Sequence, residues 1–246
     1  MPYPMIALDD LAVRFGGVAA LSGVTFTAGA SEFIGVIGPN GAGKTTLFNV
    51  ISGMVSPSAG AFRIDGVDLI GQRAHVFNRV GIARTFQTAR VFRNLSVREN
   101  VEFGLRLPER RGGRARHLRT EADDLLDRLG LRPQAGLTAG SLPPTRQRLI
   151  EIGMALATNP RVLLLDEVAA GLTQGEAKTM ASLIRDLRSE RDMCVIWIEH
   201  NVEVLMRTVE RVLVLHHGEV LADGPPARIT KDPVVIDAYL GETAVD

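Results

Sequence analysis

Cysteine is almost missing from this chain: of 246 residues, only Cys194 carries a thiol. That excludes a disulfide framework and fits a reducing compartment. The flanks of the thiol, Met193-Cys194-Val195-Ile196, read as a buried strand rather than the setting of a nucleophile. An excess of charge of one sign is also lacking, since 28 Lys and Arg face 28 Asp and Glu. The basic surplus that a nucleic-acid footprint needs is therefore not there. No apolar run approaches the ~18 residues of a membrane span. Met1-Pro2-Tyr3-Pro4 has neither the basic nor the apolar region of a signal peptide. Internal repeats and low-complexity tracts are lacking too. Together these absences predict a cytoplasmic protein that acts at a membrane, if it does so at all, through partners.

Apolar material is plentiful, at 46% of residues. The length suits one large or two small domains at ~100–200 residues each, ample for a buried core. The strongest local signal is Gly38-Pro39-Asn40-Gly41-Ala42-Gly43-Lys44-Thr45-Thr46. It fits the phosphate-binding spacing G-x-x-x-x-G-K-[ST]. Phe33-Ile34-Gly35-Val36-Ile37 before it reads as a buried strand, and Leu47-Phe48-Asn49-Val50-Ile51 after it as an apolar-faced helix. A strand, a glycine loop and a helix start gather backbone N–H groups and the positive end of a helix dipole around one anion. Lys44 would reach the β- and γ-phosphates, and the Thr45 hydroxyl would hold Mg²⁺.

Other segments say less by themselves. Ile6 to Phe15 is strand-like with a polar turn near Asp9-Asp10, and Val24-Thr25-Phe26-Thr27 alternates like a half-buried strand. Phe15 precedes Gly16-Gly17 and is read with equal weight as a core aromatic or as a platform for a purine ring. Gln87, just past the strand-like Gly81-Ile82-Ala83-Arg84, reads alone as a surface glutamine. From about 88 to 158 the apolar spacing turns helical, as at Val97, Val101 and Leu105. This predicts a helical subdomain inserted into an α/β core of about 1–87 and 159–246. Arg106, Arg110, Arg111, Arg114, Arg116 and Arg119 crowd its middle and read as a solvated loop. Pro143-Pro144 suits a helix start, where a missing N–H costs nothing.

Arg161-Val162-Leu163-Leu164-Leu165-Asp166-Glu167 is the second strong signal. Apolar residues running straight into two carboxylates look like a buried parallel strand, whose carboxyl end is where α/β folds place ligands. Asp166 suits Mg²⁺ held through water, and Glu167 suits taking a proton from an attacking water. Cys194 to Ile198 predicts another buried strand, and His200 just beyond it is either a surface residue or a γ-phosphate contact. His216 and His217 read as a solvated turn rather than a metal site.

With the phosphate loop, Asp166-Glu167 and His200 in this order, the chain resembles the ATP-binding cassette subunits over nearly its whole length. Arg14-Phe15-Gly16-Gly17, Ala83-Arg84-Thr85-Phe86-Gln87, Ala169-Ala170-Gly171-Leu172 and Asp237-Ala238-Tyr239-Leu240-Gly241 resemble the ATPase subunits of branched-chain amino acid importers. The resemblance implies one cassette domain. Its fold would be a P-loop NTPase core with an antiparallel β subdomain and an inserted helical subdomain. It implies that Phe15 stacks adenine, that Gln87 senses Mg²⁺ and the attacking water, that Glu167 is the general base, and that His200 is the switch histidine. ATP and Mg²⁺, membrane permease subunits, a second ATPase subunit and, indirectly, a solute-binding protein are implied with it. So is a peripheral place on the inner face of the membrane.

Two segments depart from the family pattern. The signature that binds ATP across the dimer falls on Leu142-Pro143-Pro144-Thr145-Arg146. Pro143 stands at its serine, Thr145 at its key glycine and Arg146 at its glutamine. Val168 stands where the family carries proline. The expectation is a heterodimer whose partner supplies the intact signature. A weakly hydrolysing nucleotide scaffold is the alternative.

Overall fold

The computed structural model describes residues 5–106 and 115–243. The chain opens with β1 (Ile6–Phe15), β2 (Val18–Ala28), β3 (Phe33–Ile37) and helix α1 (Lys44–Ile51). It continues through β4 (Ala59–Ile64), β5 (Val67–Asp68), α2 (Ala74–Arg79) and β6 (Ile82–Arg84). Three helices follow: α3 (Val97–Leu105), α4 (Ala115–Arg128) and α5 (Pro144–Ala157). Then come β7 (Val162–Asp166), α6 (Gln174–Arg191), β8 (Cys194–Ile198), α7 (Val202–Thr208), β9 (Arg211–His216) and β10 (Glu219–Gly224). Helices α8 (Pro226–Ile229) and α9 (Pro233–Thr243) end it.

Two sheets organise these elements. The antiparallel one runs β2-β1-β4-β5, and the larger one runs β10-β9-β3-β8-β7-β6. In the larger sheet β9, β3, β8, β7 and β6 are parallel, and β10 pairs antiparallel with β9. Every residue of β3, β7 and β8 is buried, as their unbroken apolar runs require of strands covered on both faces. Alternate residues feed opposite layers. Ile34, Val36, Leu164 and Ile196 join the layer holding α1 and the antiparallel sheet. Phe33, Leu163, Val195 and Trp197 join the other, where Trp197 stacks on Phe33 with ring centroids 6.0 Å apart. Cys194 is buried in β8, and burial pushes its thiol up to about 12, which keeps it a structural apolar group.

Helices α3, α4 and α5, which the chain inserts between β6 and β7, pack on one another. Val101, Leu126 and Ile150 among them belong to the same apolar layer as the sheet face. Capping boxes start α3 (Ser96 with Glu99) and α6 (Thr173 with Glu176).

Some expectations change. The Asp9-Asp10 turn is instead a bulge inside a continuous β1, with Asp10 at φ 48°. Strand β2 begins six residues before Val24, because its whole length pairs with β1. Strand β8 lies between the strand ending in Asp166 and the strand feeding the phosphate loop, an order that no local pattern foretells. Of the arginine-rich stretch, Arg110, Arg111 and Arg114 lie outside the described residues. Arg106 pairs with Glu102 one turn earlier, and Arg119 is exposed.

Candidate nucleotide site

The parallel register sets the site. Val36 of β3 lies opposite Ile198 of β8, and Ile198 lies opposite Asp166 of β7. The loops that begin at Gly38, Glu167 and Glu199 therefore leave one edge of the sheet together.

The phosphate loop is held from behind. Gly38 sits at φ 153°, where a Cβ would meet the Leu215 carbonyl oxygen at 2.2 Å. Gly43 sits at φ 99°, where a Cβ would meet the Ala20 carbonyl oxygen at 2.6 Å. Only glycine allows β2 and β9 to approach this closely. The Gly218 amide in the β9–β10 turn donates to the Ala42 carbonyl at 3.1 Å, and Ala42 is buried. Gly43 caps α1 with no side-chain acceptor, and α1 itself first claims the Leu47 amide, on the Gly43 carbonyl at 2.8 Å. The turn before Leu47 presents its amides at the positive end of the helix. Lys44 is 9% exposed, and its Nζ donates to the carbonyls of Gly38 (2.5 Å) and Pro39 (2.7 Å). Asn40, Gly41 and Thr45 are exposed around it, and Thr46 is half-buried. Two glycine-only approaches, a buried lysine and an uncapped helix start fit a polyphosphate.

Three residues far apart in sequence meet at the same edge. Gln87 Nε2 donates to Glu167 Oε2 at 2.8 Å, and His200 Nε2 lies 2.8 Å from Glu167 Oε1. Glu167 has φ 51°, a left-handed backbone that a glutamate rarely adopts. Its amide donates to the Ile198 carbonyl at 2.9 Å, which helps hold that conformation. Its side chain is 12% exposed and that of His200 58%. A carboxylate gripped at both oxygens beside a phosphate loop can orient a water and accept its proton.

Asp166 is buried and ion-paired through Oδ2 to Arg84 Nη2 at 2.8 Å. Arg84 Nη1 also donates to Asn49 Oδ1 of α1 at 2.6 Å. Arg84 thus ties the acidic strand end to the helix behind the phosphate loop. Sequence reasoning gave Arg84 no role, since a basic residue ending a short strand carries no local sign of a partner 82 positions away. Glu199 was missed as well. Its Oε1 accepts the Ala169 amide at 2.5 Å and Trp197 Nε1 at 3.3 Å, bracing the turn after Glu167. Burial raises its carboxyl above the usual carboxylate range, and those hydrogen bonds act in the opposite direction. Its signal in the sequence was a carboxylate directly after an all-apolar strand.

Phe15 is 53% exposed at the end of β1, so it is not a core aromatic. His216 is half-buried and His217 exposed, with ring centroids 4.0 Å apart in the β9–β10 turn. Val168 is fully buried. Pro143 and Pro144 start α5 as expected. Arg146 Nη1 approaches the Gly130 carbonyl at 3.4 Å.

A strand–loop–helix phosphate cradle, with a glutamate fixed across two strands from it, defines a P-loop nucleotide hydrolase. Residues 21–170 match the ABC transporter family, and residues 219–245 match the branched-chain amino acid ATP-binding cassette transporter family. The chain is 36% identical to the high-affinity branched-chain amino acid transport ATP-binding protein BraF of Pseudomonas aeruginosa, over 98% of its own length and 100% of that protein. It is 37% identical to LivG of Salmonella typhimurium, a protein of the same description, with the same coverage. Among solved structures it is similar to the ADP conformation of MJ1267, an ATP-binding cassette of an ABC transporter. The TM-score there is 0.87 at 27% identity, covering 97% of this chain and 99% of that one. A dimeric post-hydrolysis cassette, MJ0796 bound to ADP and Pi, is similar with a TM-score of 0.82 at 25% identity, covering 90% of this chain and 99% of that one. The chain belongs to the ABC transporter family, and it is an ATPase of the ATP-binding cassette type.

Proposed function

We propose that this chain is the ATP-hydrolysing subunit of an importer for branched-chain or other apolar amino acids, on the cytoplasmic face of the membrane. The observation that carries the hydrolytic part is the Glu167 carboxylate, held at 2.8 Å by both Gln87 and His200. The solute class rests on likeness to BraF and LivG along the whole length. Among the described residues no helix is long and apolar enough to cross a membrane, so the pore falls to permease subunits. A solute-binding protein would deliver the cargo to them.

Lys44 and the loop amides hold the β- and γ-phosphates, and exposed Phe15 stacks on adenine. Thr45 and the side-chain Oε1 of Gln87 would hold Mg²⁺, with Asp166 acting through water; the ion would offset charge on the transferred phosphoryl group. Gln87 Nε2 and His200 orient Glu167, which takes the proton of the attacking water.

The working unit is a dimer, for which similarity to a dimeric cassette gives support. Pro143 and Pro144 have no amide hydrogen to offer ATP held by a second subunit. Loss of one transition-state donor costs roughly 2.7–4 kcal/mol. The partner is therefore a different cassette that brings an intact signature to this chain's ATP. The same prolines favour a second function, a nucleotide-bound scaffold with little turnover. Cells in which Lys44→Ala replaces the native chain should lose uptake of radiolabelled leucine, isoleucine or valine. Unchanged uptake of all three would remove the solute assignment.

A further inference from the structure

Residues 86–90 carry Gln87 away from β6 without regular secondary structure. A loop of that kind would let a long side chain wander. One turn of α5 prevents this. Glu151 Oε1 accepts the amides of Phe86 (3.3 Å) and Arg90 (3.0 Å). Arg148 donates to the carbonyls of Phe86 (Nη1, 3.3 Å) and Gln87 (Nη2, 2.8 Å). The two residues are three apart on α5, so they share a face and reach the same segment together. One supplies acceptors for its amides and the other donors for its carbonyls. Glu151 is 4% exposed, so water competes little for its bonds.

We infer that Arg148 and Glu151 are positioning residues for Gln87, clamping its backbone so that Nε2 arrives on Glu167. This deepens the proposed role of Gln87 and rests on it. The clamp also joins Gln87 to the helix whose first turn is Pro143-Pro144-Thr145. A shift of α5 then moves Gln87 relative to Glu167.

The test is single-turnover ATP hydrolysis by the full chain, with nucleotide affinity and thermal unfolding measured on the same samples. Arg148→Met should slow hydrolysis about tenfold or more, since small misplacements of a catalytic group are costly, while ATP affinity stays within about twofold. On a Gln87→Ala background, the same substitution should change the rate less than about twofold, because the residue it positions is gone. Glu151→Gln keeps an acceptor oxygen and should retain most activity, whereas Glu151→Leu should not. Should Glu151→Leu fail to fold, the Arg148→Met pair carries the test. Equal losses with and without Gln87 would overturn the clamp and leave a merely structural contact. A Gln87→Ala chain that hydrolyses normally would instead overturn the role of Gln87 itself, and the clamp with it.

Discussion

Two helices of this chain start in opposite chemical ways. Helix α1 follows a glycine at φ 99°, has no side-chain cap, and first claims an amide at Leu47. Helix α5 follows Pro143 and begins with Pro144, neither of which has an amide hydrogen. Its next donors are soon engaged: the Arg146 amide bonds back to the Pro143 carbonyl at 2.9 Å, and that of Gln147 does so at 3.0 Å. Both are sound helix starts. The glycine start leaves more first-turn amides open to an anion than the proline start does.

The largest expected effect lies beside α1. Glu167→Gln should lower hydrolysis on the order of 10²–10⁴-fold and leave ATP bound, as retention of radiolabelled nucleotide will report. Unchanged turnover would take the base role away from Glu167.

Next comes the start of α5. Exchanging Pro143, Pro144, Thr145 and Arg146 for Ser, Gly, Gly and Gln should raise turnover of the chain alone by roughly 10²–10³-fold. No gain would mean that the two helix starts differ without consequence.

The smallest effect sharpens the contrast further along α5. Burial pushes the Glu151 carboxyl up to about 7, while the Arg90 and Phe86 amides act in the opposite direction. A carboxyl raised in the folded state stabilises it at low pH, and that contribution is lost as pH climbs through about 7. Glu151→Gln does not titrate. Its unfolding free energy relative to the native chain should therefore rise by about 1–2 kcal/mol between pH 5 and pH 8 in denaturant melts. A pH-independent difference would show that the carboxyl is not shifted.

What the sequence made legible was contiguous. Gly38 to Thr46 declares its chemistry within nine residues, and the buried strands declare themselves by unbroken apolar runs. The meeting of Gln87, Glu167 and His200 was not contiguous. It depends on the strand order β3-β8-β7-β6, which no local pattern encodes. Family resemblance supplied the order that periodicity could not. Arg84 and Arg148 stayed silent for a related reason, because a guanidinium finds its partner through tertiary packing. Phe15 was undecided because β1 alternates inward and outward residues, so only the register of the β1–β2 pair fixes which way its end faces.

The most direct measurement mixes two forms of this one chain. The native form keeps its phosphate loop and its prolines; the other carries Lys44→Ala together with the Ser-Gly-Gly-Gln exchange at 143–146. The first should hold ATP without a completing neighbour, and the second should complete a neighbour without holding ATP. ATP turnover of the mixture should exceed that of either form alone by roughly 10²-fold or more. A native form that by itself hydrolyses ATP as fast as the mixture would contradict the account.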